Sequence, residues 1–432
     1  GLSGLTAAAL LEKQGKHVLL VEAEHRIGGA AVSANIANGH VALGSVYFVE
    51  KTDSLQSVLT IAGVKEQICP EDGYVFDDNV VHRDVWSDVG IAAIATNQND
   101  RDGLKRFRDD VIAMGDNVPS YPLPSTLSPA LAHYDTSALS HIQQYKSPTL
   151  ARILDSYSRS AMGGHLNDVN MYCLLNFYCS EFGASFDLPR YTFAGGTAVL
   201  GNGLAAALHD VRLDMLAVRV TQTATAATVD CIDKEGSVIR CVAGAVIIAA
   251  PKFQVPYLLA DCSALRAASC RALKYAPFAT VHIVSEKPLI QPDLFDTWHL
   301  QAKTYTDVIN PNSVVGNTLS QNVATLYVPL DLGDRSTMQD EAQLAAKIGT
   351  VVSEFSQPFT DDVKSSITEA YCWGWGHGLV IPSPGSHTSV AQAASADAGR
   401  IVFANTDCDA APAIENAVEN GARAAHKAAK LL

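Results

Sequence analysis

The chain opens GLSGLTAAALLEKQGKHVLLVEAEHRIGG, and this stretch constrains the fold more than any other. Gly1 and Gly4 fit the second and third glycines of G-x-G-x-x-G. In that register the first glycine and the strand before it are expected upstream of residue 1, so the chain reads as truncated at its N-terminus. Leu2 to Gln14 carries apolar residues at helical spacing, and Lys16 to Glu22 reads as a buried strand ending on an acid. A glycine turn leading into a helix offers N–H groups to a pyrophosphate, and an acid closing the next strand accepts from a ribose hydroxyl. Gly28 and Gly29 add a second glycine pair. The competing reading, a glycine-rich turn in some other βαβ unit, accounts for neither the acid nor that pair.

Alternating α/β and helix-rich stretches divide the chain. Residues 1–75 and 187–260 read as α/β material and 76–186 as mainly helical. Mixed strand and helix follow over 261–369, and 370–432 returns to α/β. GYVFDDNVVHR reads as a hairpin, Ser147 to Met162 and Asn170 to Glu181 as helices, and VPSYPLPSTLSP as a Pro-rich loop. MLAVRVTQT, AATVDCIDKE and SVIRCVAG are expected strands, and GAVIIAAP a short, fully buried one. The last helix, from about Pro412 to Leu431, presents Ala417, Gly421, Ala424 and Ala428 for close packing on a sheet. The expected class is α/β, with two domains each assembled from discontinuous segments.

At 432 residues the chain can bury two substantial cores. Its net charge of −14 argues against nucleic acid or an anionic membrane as partner. No apolar run approaches the ~20 residues that span a bilayer. The nine cysteines form no C-x-x-C pair and no Cys/His cluster at zinc spacing, so they read as reduced, structural thiols. His133 and His141 likewise lack metal spacing, and no metal is expected. A cytoplasmic location is favoured, with an export signal upstream of residue 1 left open.

Three blocks run in order along nearly the whole chain. The first is G-x-S-G-L…VEA-x-x-R-x-GG, carried by Gly1, Gly4, Glu22, Arg26, Gly28 and Gly29. The second is VRLDMLAVRVTQT with AGAVIIAAP, and the third is FANTDCDAAPAIENAVENGARAA. Together they resemble the FAD-dependent flavin amine oxidases and their phytoene desaturase and protoporphyrinogen oxidase relatives. The resemblance implies a Rossmann-like FAD-binding domain of the glutathione-reductase type with a discontinuous α+β substrate domain. It implies that the Gly1–Gly4 backbone holds the diphosphate, Glu22 the adenosine ribose, and Arg26 a phosphate. By the same likeness Ala217 or Val218 bonds the adenine through its backbone, and Gly44 and Ser45 lie beside the isoalloxazine ring. Asp407 approaches the ribityl-diphosphate region, and the helix starting at Ala413 and Ile414 aims its N-terminal dipole at the flavin pyrimidine.

The departures concern the chemistry. The family's GGR becomes Gly28-Gly29-Ala30, FAG becomes Phe403-Ala404-Asn405, and GA in the last helix becomes Asn416-Ala417. Many amine oxidases hold a lysine near flavin N5. The matching strand, PFATVHIVSEKP, places Ala279 or Thr280 there and Lys287 only near its end. The electron acceptor is therefore open between O2 and another redox partner. Trp373, Trp375 and His377 are the expected substrate-facing wall, two aromatics flanking a plane and a base or hydrogen-bond donor. The competing reading is plain packing at a domain junction. Tyr47, shortly after Gly44, is a further candidate.

The expected activity is FAD-dependent oxidation, a hydride equivalent leaving a C–N bond of a small amine. The alternatives are a desaturase or isomerase acting on an apolar alkene, and a non-catalytic flavoprotein. A polypeptide beginning at Gly1 is expected to bind FAD weakly and to fold poorly.

Overall fold

The computed structural model describes residues 1–432 apart from 115–121, 124–126 and 183–188. The Pro-rich loop at 118–129 and the start of the second α/β stretch near Asp187 therefore lie largely outside the described residues. The first helix spans Leu2–Lys13 and buries Leu2, Leu5, Ala9 and Leu11. The last helix spans Ile414–Ala429. Its face of small residues packs on a helix as well as on strand: Ala417 and Val418 meet Leu2 and Leu5. Ala424 and Ala428 cluster with Ala7, Leu11 and Val402 of the strand Ile401–Phe403. A Cβ on Gly421 would lie 2.5 Å from the Ser3 carbonyl oxygen and 2.7 Å from Thr6 Cβ. Glycine thus sets how closely the two helices approach.

Two expected strands are shorter and less buried than their apolar runs imply. Of Lys16 to Glu22 only Leu20–Val21 is strand, paired in parallel with Val211–Arg212. Of GAVIIAAP only Val246–Ile248 is strand, paired in parallel with Ile401–Phe403, and Val246 and Ile247 are half-buried. Each has one hydrogen-bonded neighbour, and Val18, Leu20, Val246 and Ile248 line one cavity instead of a sheet interior. A three-stranded antiparallel sheet (Leu216–Gln222, Ala227–Ile232, Val238–Ala243) matches the three runs expected there.

A seven-stranded sheet dominates the rest. Its order is Ile367–Ile381, Lys274–Ser285, Asn322–Pro329, Asp307–Ile309, Leu294–His299, Glu71–Val75, Val81–His82. All neighbours are antiparallel except Leu294–His299 with Glu71–Val75. The hairpin expected in GYVFDDNVVHR supplies its edge, pairing Tyr74 with His82 around Asn79 at φ 57°. The sheet thus reaches across the segment boundaries expected at 75 and 370, because strand pairing continues through both. Helix Pro148–Met162 is capped by Ser147, whose hydroxyl accepts from Leu150 N at 3.0 Å, and ends at Gly163 with φ 71°. With Met171–Phe182 it builds the largest apolar core, joined by Trp298 and Ile381 of the sheet.

All nine cysteines are free. Among the described residues no group of His, Cys, Asp and Glu could hold a metal ion, and no helix is long and apolar enough to cross a membrane. His141 Nε2 is instead hydrogen-bonded to Thr136 Oγ1 at 2.8 Å.

Candidate active site

One cavity of about 1350 Å³ runs from the first helix to the seven-stranded sheet. Its wall includes Gly1, Gly4, Glu22, Gly28, Gly29, Gly44, Ser45, Ala217, Asp407, Ala413 and Ile414. No side chain caps the helix at Gly1, so its leading N–H groups are left to a ligand. Gly28 and Gly29, at φ 98° and 62°, turn the chain back, and a Cβ on Gly29 would come within 2.9 Å of Gly1 Cα. Glu22 Oε2 lies 3.6 Å from the Gly1 nitrogen, and Oε1 accepts from Glu24 N at 3.1 Å. The β-ladder skips Val218 between Ala217 and Arg219, leaving its backbone outside the pairing while its side chain is exposed.

The segment Leu43–Ser45 hangs from the sheet by side-chain hydrogen bonds. Thr280 Oγ1 and Trp375 Nε1 donate to the Leu43 carbonyl at 3.0 and 2.8 Å. Tyr327 OH donates to the Gly44 carbonyl at 2.9 Å, and Thr197 Oγ1 to that of Ser45 at 2.5 Å. A Cβ on Gly44 would run into the Ala30 carbonyl oxygen and sit 3.3 Å from Trp375 Cζ2. Thr280 thus holds this segment, and Lys287 pairs with Asp362 at the surface.

Trp373, Trp375 and His377 alternate along the strand Ile367–Ile381, yet only Trp375 and His377 reach the cavity wall. The two indoles are 6.0 Å apart at 57° and do not form a parallel clamp. Arg26 lies beside both rings. Its guanidinium is 5.8 and 5.6 Å from the two ring centroids, and Nη1 donates to the Gly29 carbonyl at 2.9 Å. It is not among the residues of the cavity wall. His377 packs against Phe253 at 4.5 Å, and burial together with Arg335 lowers its pKa.

The sequence offered no sign of the partners of Asp407. The Asp407 Oδ1 accepts from Lys252 Nζ at 2.8 Å, and Oδ2 from Lys252 N at 2.7 Å and Tyr275 OH at 2.8 Å. Glu415, in the first turn of the last helix, is equally buried and accepts from Val49 N at 2.6 Å and Glu50 N at 3.1 Å. That bond ties the 45–50 segment to the helix start.

Two departures from the resembling pattern have local causes. Asn405 adopts φ 150°, ψ 162°, backbone that favours glycine. Its side chain compensates, Nδ2 donating to the Ala249 carbonyl at 3.2 Å and Oδ1 accepting from Thr406 N at 2.6 Å. Asn405→Gly is therefore expected to be about 1–3 kcal/mol more stable than Asn405→Ala, since both lose these bonds and only alanine keeps the strain. Paired thermal melts check this; an alanine variant as stable as the glycine one would contradict it. Asn416 serves packing: its Nδ2 donates to Asp409 Oδ2 at 3.0 Å, beside Asn420 and Arg423 on the same carboxylate.

Behind Tyr47, which lines the cavity, lies a buried charge cluster. Arg190 lies 4.5 Å from the Tyr47 ring centroid and pairs with Asp72 and, at 3.2 Å, with Asp296. Burial pushes the Asp307 carboxyl up to about 7, against hydrogen bonds from Thr306 and Ser160. Burial, with Asp307 the strongest charged neighbour, holds Asp296 well above the usual carboxylate range.

The comparisons with known proteins agree with this geometry. By sequence, no curated protein matches the chain. A putrescine oxidase bound to putrescine superposes with a TM-score of 0.80 at 17% identity, covering 100% of this chain and 97% of that one. The cyclohexylamine oxidase from Brevibacterium oxydans IH-35A gives 0.76 at 17% identity with the same coverage. At such identity these two likenesses establish the fold. The model of the flavin-containing amine oxidoreductases matches residues 2–429, nearly the whole chain, and the chain belongs to that family.

Proposed function

We propose that the chain oxidises the C–N bond of a small aliphatic or aromatic amine. The observation that carries this is the single cavity joining the glycine turns to an aromatic wall of Phe278, Tyr327 and Trp375. FAD, the cofactor of this family, fits the residues present: an uncapped helix start, glycines where a Cβ would collide, and an acid at the strand end. When bound, it supplies a two-electron acceptor that takes a hydride equivalent at N5.

The chain's own residues do the rest. Gly1, Gly4, Gly28 and Gly29 bind the diphosphate, Glu22 the ribose, and Ala217 and Val218 the adenine. Gly44 and Ser45, fixed by Thr280, Trp375 and Tyr327, orient the ring, and the start of the last helix at Ala413 and Ile414 stabilises negative charge on it. Phe278, Leu379 and Trp375 exclude water and confine the amine. His377, whose pKa is lowered by burial and by Arg335, is the base or hydrogen-bond partner on that wall. The neighbours' names, putrescine oxidase and cyclohexylamine oxidase, favour an amine over an alkene.

Purified full-length protein reconstituted with FAD is expected to lose its visible flavin absorbance anaerobically with at least one of a panel of monoamines, diamines and amino acids. Readmitting air then reports whether O2 or another acceptor takes the electrons. Protein that takes up no flavin, or flavin that no amine reduces, would overturn the proposal.

A further inference from the structure

Lys252 lies just past the Val246–Ile248 strand segment, after Ala249, Ala250 and Pro251, and begins a short turn, Lys252–Gln254. Its side chain is wholly buried, and Lys252 is not among the residues of the cavity wall, whereas Pro251, Tyr275, Thr406 and Asp407 are. An ammonium without solvent is stable only beside a countercharge, and here that charge is Asp407, 2.8 Å away. Cys408 Sγ, at 3.2 Å, is a second partner, and the Phe403 ring lies 5.6 Å from Nζ. With Tyr275 and the Lys252 backbone on its other oxygen, Asp407 is gripped by three donors, 2.7 to 2.8 Å long. A bare carboxylate on this wall would repel a diphosphate and any negative charge gained by a ring on reduction. The ion pair removes that repulsion.

We infer that Lys252 is a positioning residue for the cofactor site: from behind the wall it fixes Asp407 and cancels that carboxylate's charge toward the bound dinucleotide. This rests on FAD occupying the cavity as proposed above. Phe253 extends the same segment to His377 and Tyr275, with ring centroids 4.5 and 5.0 Å away, so the turn also buttresses the aromatic wall.

The test uses the full chain and reads flavin affinity and midpoint potential, not turnover. Lys252→Met leaves Asp407 uncompensated. The FAD dissociation constant is expected to rise about 10- to 100-fold and the potential to become more negative. Asp407→Asn leaves the lysine charge in excess, and the potential is expected to move the opposite way. The double variant carries neither charge and is expected to return close to the wild-type potential. A residue that merely packs would give shifts of one sign and no recovery in the double variant, and either finding overturns the inference. Should Lys252→Met not fold, Asp407→Asn against the double variant still decides: equal potentials overturn it. Wild-type protein that takes up no flavin overturns the functional reading and this inference with it, whereas flavin-loaded wild type beside an indistinguishable Lys252→Met overturns this inference alone.

Discussion

Asp307→Asn is expected to raise the melting temperature at about pH 8 and to raise it far less at about pH 4.5. Asp307 is 1% exposed, and burial, opposed only in part by Thr306, Ser160 and Arg190, holds its pKa up to about 7. A carboxyl whose folded pKa lies above its unfolded value keeps its proton longer in the folded chain. Its contribution is complete below the unfolded pKa of about 3.9 and is lost as pH rises through the folded value. At pH 8 the wild type therefore carries a penalty that asparagine cannot incur. Three pKa units correspond to about 4 kcal/mol, and relaxation around the site brings the expected gain to about 2–4 kcal/mol. The amide also keeps an acceptor for Thr306 Oγ1, 2.6 Å from Asp307 Oδ1. It adds a donor beside Asp296, whose Oδ1 has no hydrogen-bond partner among the described residues. Melting curves of both proteins at the two pH values decide the matter. An equal gain at both, or none at pH 8, would show that titration of Asp307 is not the cause.

This cluster also marks what a sequence can and cannot disclose. That Gly1, Gly4, Glu22, Gly28 and Gly29 gather on one cavity wall was legible because local geometry sets it: one turn, one helix start, one strand end. The last helix was legible because its small residues recur at helical spacing. Asp72, Asp296 and Asp307 announce nothing, since each lies in a different strand, and only sheet pairing sets Asp72 opposite Asp296, where both meet Arg190. Lys252 and Asp407 are 155 residues apart, and a lysine following a buried run ordinarily reads as the point where the chain regains solvent. Thr280, Tyr327 and Trp375 were separated by the same distance problem from the Leu43–Ser45 segment they suspend. The tryptophan contacts of Arg26 were hidden for a different reason. A loop arginine beside a glycine pair suits a phosphate, but two indoles from a remote strand offer its guanidinium a competing face. The short strands Leu20–Val21 and Val246–Ile248 fell below expectation because apolar content reports burial only when neighbours exist on both edges.

Gly421→Val is expected to destabilise the fold by roughly 3 kcal/mol and to deplete bound flavin, with Gly421→Ala intermediate. The collision partners decide the size. The new Cβ would lie 2.5 Å from the Ser3 carbonyl oxygen and 2.7 Å from Thr6 Cβ. Backbone and a branched side chain offer no flexible end to swing aside, so the helix Leu2–Lys13 must move as a body. Its apolar flank cannot absorb that movement, because Leu2 and Leu5 are also packed in one cluster with Leu55, Leu59 and Leu200. Displacement of the first turn carries Gly1 and Gly4 away from Gly28 and Gly29, and the N–H groups proposed to bind the diphosphate move with it. Stability and flavin occupancy are thus coupled through one helix contact well outside the cavity's aromatic wall. Thermal melts and the flavin-to-protein absorbance ratio of both variants measure the coupling. Loss of stability with full flavin content would separate the two, and a valine variant that melts like wild type would show that the helices are not in the close contact described.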